Sequence, residues 1–224
     1  MKKIIIVLLL LTTHLSFAQG FKKDKRMQIQ KEDSNNKLKS DKVTTLDLMQ
    51  ALELEGIHIN KFNIGDFDQT YNLFIMADEY ENGKIVKTDT LLAENNEYTF
   101  WEGGSEKYFH DYIDQIKVFA KDSANKSLLN IRIYSVETRK NIALKKTDDR
   151  QFFNWRAYTD TKWKLNEKVP LMVFASSWED KKYKFHRFCG VVNLAKDDKG
   201  TEELLSSSPN YIVISFKTTK GESK

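Results

Sequence analysis

The hydrophobic pattern of the chain is strongest between Val169 and Leu194, where two extended segments flank a short charged break. Leu171–Trp178 and Tyr183–Leu194 are rich in β-branched and aromatic residues, and residues 179–182 between them have the length of a hairpin connection. Both segments carry apolar side chains on both faces. Such a ribbon predicts strands inside a sheet that is covered on both sides. We expect this hairpin to form the centre of the fold.

Alternation of apolar and polar residues predicts many further short strands. The segments are Ile57–Asn60, Tyr71–Tyr80, Lys84–Leu92, Glu97–Trp101, Leu128–Val136, Ile142–Leu144, Phe152–Tyr158 and Tyr211–Phe216. Asn82-Gly83 separates two of them and is a strong indication of a hairpin turn. Tyr108–Lys121 begins with helical spacing and ends with alternation, and we interpret it as a strand with an irregular start.

Helical patterns are few. Thr44 and Asp47 match a capping box ahead of an apolar stripe, and Gly56 stands where a left-handed residue ends a helix. Thr201–Ser206 predicts one helical turn capped by Thr201. The chain therefore predicts a mainly β protein, a two-sheet antiparallel sandwich with one or two short helices spanning residues 44–224. The alternative is an α+β fold with one helix packed on an antiparallel sheet.

The first eighteen residues have the three-part layout of a secretory signal peptide. Lys2 and Lys3 precede an aliphatic run, and small residues precede a cut between Ala18 and Gln19. The run is too short and too interrupted to span a membrane. No cysteine lies near the cut, so we expect an exported protein that is not lipid-anchored, in the periplasm, outside the cell or at its surface. Residues 19–43 are lysine-rich and predict a disordered tether.

Charge and cysteine content narrow the functional classes. Removal of the predicted signal peptide lowers the basic residues from 36 to 34 against 32 acidic residues, with no concentrated block of either sign. A balanced mixture does not provide the basic face of a nucleic-acid-binding protein. Cys189 is the single cysteine. It cannot form an internal disulfide, and its apolar neighbours predict a buried side chain.

No residue pattern matches a known catalytic or metal-binding motif, and we predict neither a catalytic residue, a metal site nor a cofactor. His58 alternates with apolar residues and should face solvent. His110 could pair with Asp114 only on a helix, because four residues of a strand span about 13 Å. Adjacent acids recur at 78–79, 148–149, 179–180, 197–198 and 202–203. Paired carboxylates leave a carbohydrate-active enzyme as the alternative function.

Trp163 and Trp178 are the candidate ligand-binding residues. Both stand beside charged residues, and a flat exposed indole can bind the apolar face of a sugar ring. The alternative is that these rings close the ends of the core while their N–H groups reach the wet rim.

Three segments resemble a group of uncharacterised exported proteins of gut Bacteroidetes: Ala51–Ile57, Asp78–Lys84 and Val173–Trp178. The resemblance implies a secreted or envelope location in a Gram-negative anaerobe and no known activity. Asp89-Thr90-Leu91 and Asp122-Ser123-Ala124 are similar to the O-glycosylation acceptors of such bacteria. We expect a non-catalytic, exported binding or interaction module at the cell envelope, with an unidentified protein or glycan as its partner. A subunit of an envelope assembly is a third possibility.

Overall fold

The computed structural model describes residues 43–101, 108–134, 136–188 and 190–221. The helices are α1 (Thr45–Leu54) and α2 (Lys199–Ser207). The strands are β1 (Ile57–Asn63), β2 (Tyr71–Glu81), β3 (Lys84–Asn95), β4 (Glu97–Trp101), β5 (Tyr108–Tyr112), β6 (Gln115–Ser123), β7 (Lys126–Ile133), β8 (Val136–Ala143), β9 (Phe153–Tyr158), β10 (Lys168–Ser176), β11 (Trp178–Glu179), β12 (His186–Arg187), β13 (Asn193–Leu194) and β14 (Asn210–Lys220). The predicted signal peptide, nearly all of the predicted tether and Cys189 lie outside the described residues.

Two sheets contribute to one hydrophobic core. The larger sheet has the order β13-β9-β10-β14-β2-β3, and the smaller has the order β1-β6-β7-β8. Ile116 and Ile131 of the smaller sheet share the core with Ile75, Phe174 and Ile214 of the larger. Every recorded pairing between strands is antiparallel except that of β13 with β9. The predicted mainly β, antiparallel two-sheet fold is confirmed, and Thr45–Lys224 forms one compact unit.

Strand β10 is buried on both faces, as its sequence predicts. Leu171 and Phe174 lie in the core shared by the two sheets. Val173 and Ala175 point the other way, into a smaller cluster that includes Leu204 of α2. The helix therefore covers a face of the sheet that would otherwise expose apolar side chains to water.

The predicted return strand is wrong. The neighbours of β10 are β9 and β14, whereas the described residues of the segment 183–194 form only the two-residue strands β12 and β13. Val192 is 72% exposed. Basic residues recur along this segment, and their burial in the sheet would require partners. Strand β14 carries a nearly continuous apolar run, so its pairing with β10 removes more apolar surface from water.

The Asn-Gly hairpin is confirmed. Asn82 and Gly83 have φ values of 49° and 76°, and the flanking residues Glu81 and Lys84 pair across the turn. A two-residue turn of this kind requires left-handed backbone at both positions, which asparagine and glycine adopt at low cost. Tyr108–Lys121 is likewise extended. Its extended structure is interrupted between the end of β5 and the start of β6, as the irregular start predicts.

Both helices in the described part of the chain are short, and one is capped differently from the prediction. Gly56 follows α1 with φ 71°, as expected. The N-cap of α2 is Asp198 rather than Thr201, because the Asp198 carboxylate accepts hydrogen bonds from the N–H groups of Gly200 (2.8 Å) and Thr201 (3.1 Å). Within the described ranges, no helix is long and apolar enough to cross a membrane.

Candidate ligand-binding cleft

A cleft of about 290 Å³ opens beside the smaller sheet, where residues of β4, β6 and β7 come together. Three aromatic residues line it: Tyr98 of β4, Phe119 of β6 and Tyr134, which follows β7. Phe119 alternates with buried residues of β6, so its side chain is on the solvent side of the smaller sheet. We call this site the aromatic cleft. Its volume is at the lower end of the range for small-molecule sites.

Tyr98 and Tyr134 form the aromatic wall of the cleft. Their ring centroids are 3.6 Å apart, and the rings are inclined by 23°. Tyr98 packs against the main core on its inner side, while Tyr134 is 55% exposed. Burial raises the pKa of the Tyr98 hydroxyl. The hydroxyl is therefore protonated at neutral pH and can donate a hydrogen bond.

The backbone of Tyr134 is unusual. Ile133 pairs with Val136, so Tyr134 begins a two-residue hairpin connection, and its φ is 48°. Asparagine, aspartate and glycine are the usual residues at this position. A bulky residue in left-handed backbone costs roughly 1–2 kcal/mol. Placement of the ring against Tyr98 offsets that cost, and backbone strain of this kind clusters at ligand sites.

Charged side chains complete the cleft. Arg132 lies over the Phe119 ring, with 5.8 Å between its Cζ atom and the ring centroid, and it binds Glu137 at 2.9 Å. Asp114 and Lys117 also line the cleft. Within the part of the chain that the structure describes, their charged groups have no hydrogen-bond or ion-pair partner. They are available to the polar groups of a ligand.

The β4–β5 hairpin extends the aromatic surface beyond the cleft. Phe100 and Phe109 stack across its strands with 5.6 Å between centroids, on the same face as Tyr98. Trp101 and Tyr108 pair on the opposite face and are 64% and 78% exposed. An aromatic surface of this extent on a two-stranded ribbon is typical of an interaction site.

A polar contact attaches this hairpin to the chain beside β2. Glu97 accepts a hydrogen bond from Thr70 Oγ1 at 2.6 Å, and His110 Nε2 lies 3.1 Å from the same Glu97 oxygen. The hydrogen bond from Thr70, with the smaller contribution of His110, lowers the pKa of Glu97. His110 therefore pairs with Glu97, across the strands, and not with Asp114.

Trp163 is half-buried at the edge of the main core. Its ring stacks on Phe67 with 4.8 Å between centroids, and its Nε1–H donates to the carbonyl oxygen of Asp66 at 2.7 Å. The ring of Tyr71 lies against it at 5.1 Å. Trp163 as a ligand-binding residue stays a prediction.

Trp178 is also half-buried, but it packs against the smaller cluster that contains α2. The guanidinium of Arg187 lies 5.7 Å from its ring centroid, and the Phe188 ring lies at 6.1 Å. The structure does not bring Trp163 and Trp178 into one cluster. A ligand role for Trp178 stays a prediction as well.

The adjacent acids have structural contacts. Each of the five pairs has at least one carboxylate held by a cation or by backbone N–H groups. The contacts are Asp78 with Lys168, Asp148 and Glu179 with Arg150, Asp180 and Glu203 with Arg187, and Asp198 with the first turn of α2. Among the described residues, no group of three or more histidine, cysteine and acidic side chains could hold a metal ion.

Ser177, His186 and Asp148 form a row that the sequence did not predict. Ser177 Oγ lies 3.3 Å from His186 Nδ1, and His186 Nε2 lies 3.5 Å from Asp148 Oδ2. These are the residue types of a serine hydrolase. Ser177, however, is fully buried, and its Oγ accepts the N–H of Phe152 at 3.0 Å. A substrate carbonyl cannot reach that oxygen, so the row is structural.

The fold and the aromatic cleft define a mainly β sandwich protein with a candidate recognition surface. A family model described as a domain of unknown function (DUF5041) matches residues 27–220, and the chain belongs to that family. No curated protein and no solved structure matches the chain.

Proposed function

We propose that the protein is a non-catalytic recognition module that binds a glycan in the aromatic cleft. The observation that supports this function best is the stacked pair Tyr98–Tyr134, which lies in one cleft with the unpartnered charged groups of Asp114 and Lys117.

The chemistry of a sugar ring suits this arrangement. A pyranose has apolar C–H faces and a rim of hydroxyl groups. An aromatic ring packs against the apolar face, and a few polar side chains fix the orientation of the hydroxyls. Asp114 can accept hydrogen bonds from ligand hydroxyls, and Lys117 and Tyr98 can donate them. Arg132 is held by Glu137, so it adds a pre-oriented donor.

The test is retention of the full chain during affinity electrophoresis through gels that contain defined soluble polysaccharides. We expect Tyr134→Asn to abolish retention, because the exposed ring is lost. The same change relieves left-handed strain but loses the stack on Tyr98, so stability should change by less than about 1 kcal/mol. Tyr183→Ala is the matched control, since Tyr183 is another exposed tyrosine outside the cleft and should leave retention unchanged. Equal retention of Tyr134→Asn and the parent would contradict the proposal.

Trp163→Ala and Trp178→Ala, in the same assay, test the two sequence-predicted residues. If ligand binding depends on them, retention falls in these variants. Because each indole also packs against a core cluster, retention must be compared with the far-UV spectrum of the same sample. Full retention of a folded variant would show that the substituted tryptophan does not contribute to ligand binding.

We also propose that the protein is exported and acts at the cell envelope. The support is the basic start, the aliphatic run and the small residues before Gln19. Expression of the full chain in a Gram-negative host, followed by fractionation and mass spectrometry, tests this. The expected N-terminus of the exported form is Gln19, and an uncleaved cytoplasmic product would contradict export.

A further inference from the structure

A second cavity, of about 300 Å³, lies between the start of β10 and helix α2. Val169 and Pro170 of β10 line it, together with Leu205 of α2 and the ring of Tyr158. We call it the α2 groove. It shares no lining residue with the aromatic cleft, and its apolar walls suit an apolar chain better than a sugar.

Tyr158 carries a hydroxyl that no neighbouring residue binds. The residue is 8% exposed and packs in the smaller cluster, and its hydroxyl has no hydrogen-bond partner among the residues that the structure describes. The oxygen itself is not enclosed by the protein, so it is open to the groove. Burial raises the pKa of Tyr158 to about 12, so the hydroxyl is a donor at neutral pH. An acceptor on a bound molecule would satisfy it.

The rim of the α2 groove carries unpaired charges of both signs. Lys162 and Lys196 have no carboxylate partner in the described ranges, and Asp160, Asp197 and Glu202 have no cationic partner there. All five residues are exposed. An occupant with one charge would satisfy one set and face the other unpaired, whereas a zwitterion complements both.

The other two lysines of the groove, Lys164 and Lys168, already have carboxylate partners. Lys164 Nζ lies 4.0 Å from Glu167 Oε2. Lys168 Nζ binds both carboxylate oxygens of Asp78, at 2.7 and 2.9 Å, and Asp78 also accepts from Thr88 Oγ1 at 2.6 Å. Asp78 is buried, so this pair is part of the fold. The cations available to an occupant are therefore the two rim lysines, against three rim carboxylates.

We propose that the α2 groove binds a single-chain zwitterionic lipid. Its acyl chain lies against Val169, Pro170 and Leu205, and its ester carbonyl accepts a hydrogen bond from Tyr158. Its phosphate pairs with Lys162 and Lys196. Its ammonium group pairs with the carboxylates across the rim.

Calorimetric titration of the full chain with 1-lauroyl-lysophosphatidylethanolamine, below its micellar concentration, tests the proposal. We expect one saturable site per chain. Lauric acid and dodecylamine carry the same chain with one charge each, and they should bind about tenfold more weakly, since a charge-assisted hydrogen bond is lost. Tyr158→Phe should weaken lysophospholipid binding about three- to tenfold, through the loss of one neutral hydrogen bond.

Charge reversal on the rim separates the headgroup from the chain. Lys162→Glu with Lys196→Glu should weaken lysophospholipid binding more than tenfold and strengthen dodecylamine binding. Lys126→Glu is the matched control, because Lys126 is an exposed lysine of the smaller sheet and lines neither cavity. Far-UV spectra establish that the exposed changes leave the fold intact.

Three results would overturn the proposal: no saturable binding, equal affinity for lauric acid, or parental affinity in both Tyr158→Phe and the double lysine variant. Tyr134→Asn should bind the lysophospholipid like the parent. The proposals for the α2 groove and for the aromatic cleft can therefore be contradicted independently of each other.

Discussion

The two carboxylate oxygens of Asp122 connect its own strand, β6, to β9 and β1. One oxygen accepts the Nε1–H of Trp155 at 2.9 Å, and the other lies 2.9 Å from His58 Nε2. Trp155 Nε1 is also 3.1 Å from the Oγ atom of Ser127. His58 is therefore half-buried against a carboxylate. The expectation from alternation that His58 faces solvent is wrong. The network joins β9 of the larger sheet to β1, β6 and β7 of the smaller.

Trp155→Phe should destabilise the protein by about 1–3 kcal/mol. The change keeps an aromatic ring but removes part of the buried indole, and the buried Ser127 hydroxyl and one Asp122 oxygen lose their donor. Urea unfolding monitored by far-UV circular dichroism measures the change. Tyr108→Phe is the control, since its exposed ring should give a change within about 0.5 kcal/mol. Equal unfolding midpoints for the two variants would show that the network contributes nothing.

Asp148 should make the stability depend on pH in acid. Hydrogen bonds from the Arg150 side chain (3.1 and 3.3 Å) and backbone N–H (2.8 Å) hold the pKa of Asp148 well below its usual range. A carboxyl whose pKa is lower in the folded state adds stability above its unfolded pKa of about 3.9, and this stability is lost as the pH falls further.

The measurement compares unfolding free energies of the parent and Asp148→Asn at pH 7 and pH 3. We expect Asp148→Asn to be less stable than the parent at pH 7, with the difference shrinking at pH 3. Asp149→Asn is the control, because that exposed carboxylate approaches Lys146 only at 3.9 Å. A difference that is constant with pH would exclude the Arg150 interaction as its cause.

At the scale of elements, the sequence predicts what neighbouring residues decide. Alternation and the Asn82-Gly83 turn locate β2 and β3, and the apolar run of β10 predicts its burial. Strand partners depend on distant residues, so local pattern did not reveal that β14 takes the place beside β10. The turn at Tyr134 was hidden because a tyrosine replaces the usual turn residues and Leu128–Val136 looks extended throughout.

The candidate sites were hidden for the same reason. Tyr98 and Tyr134 belong to different hairpins, and only the tertiary fold stacks them. Tyr158 alternates like any core residue, and its position in the wall of a groove becomes visible only when its surroundings are known. Trp163 and Trp178 were chosen for their charged neighbours in the sequence, yet each ring packs largely against its own core cluster.

The β2–β3 turn gives a test at this scale. Gly83→Ala should cost about 1 kcal/mol, because an added Cβ has open space but the backbone has φ 76°. The matched control is Gly190→Ala, which also meets open space and lies outside the left-handed region. Its stability should be unchanged or raised by up to about 1 kcal/mol. Thermal unfolding of both variants measures the difference, and equal losses would contradict a backbone cause.

At the scale of the molecule, both sheets depend on one core. Residues of the smaller sheet and of the larger sheet belong to the same buried cluster. Phe174 stands near its centre, fully buried, with the rings of Trp155 at 5.0 Å and Phe153 at 5.9 Å. If the two sheets separated, the apolar face of each would be exposed to water. We therefore expect the two sheets to unfold together.

Phe174→Ala should therefore cost about 3–5 kcal/mol and shift a single transition to lower urea. Far-UV circular dichroism reports the strands of both sheets, and tryptophan fluorescence includes Trp155 at the junction between them. The two signals should have coincident midpoints in the parent and in the variant. Phe152→Ala is the control. Phe152 precedes Phe153 in the chain and is exposed, so its loss should cost less than about 1 kcal/mol. Separate transitions in the variant would show that each sheet holds a sufficient core of its own.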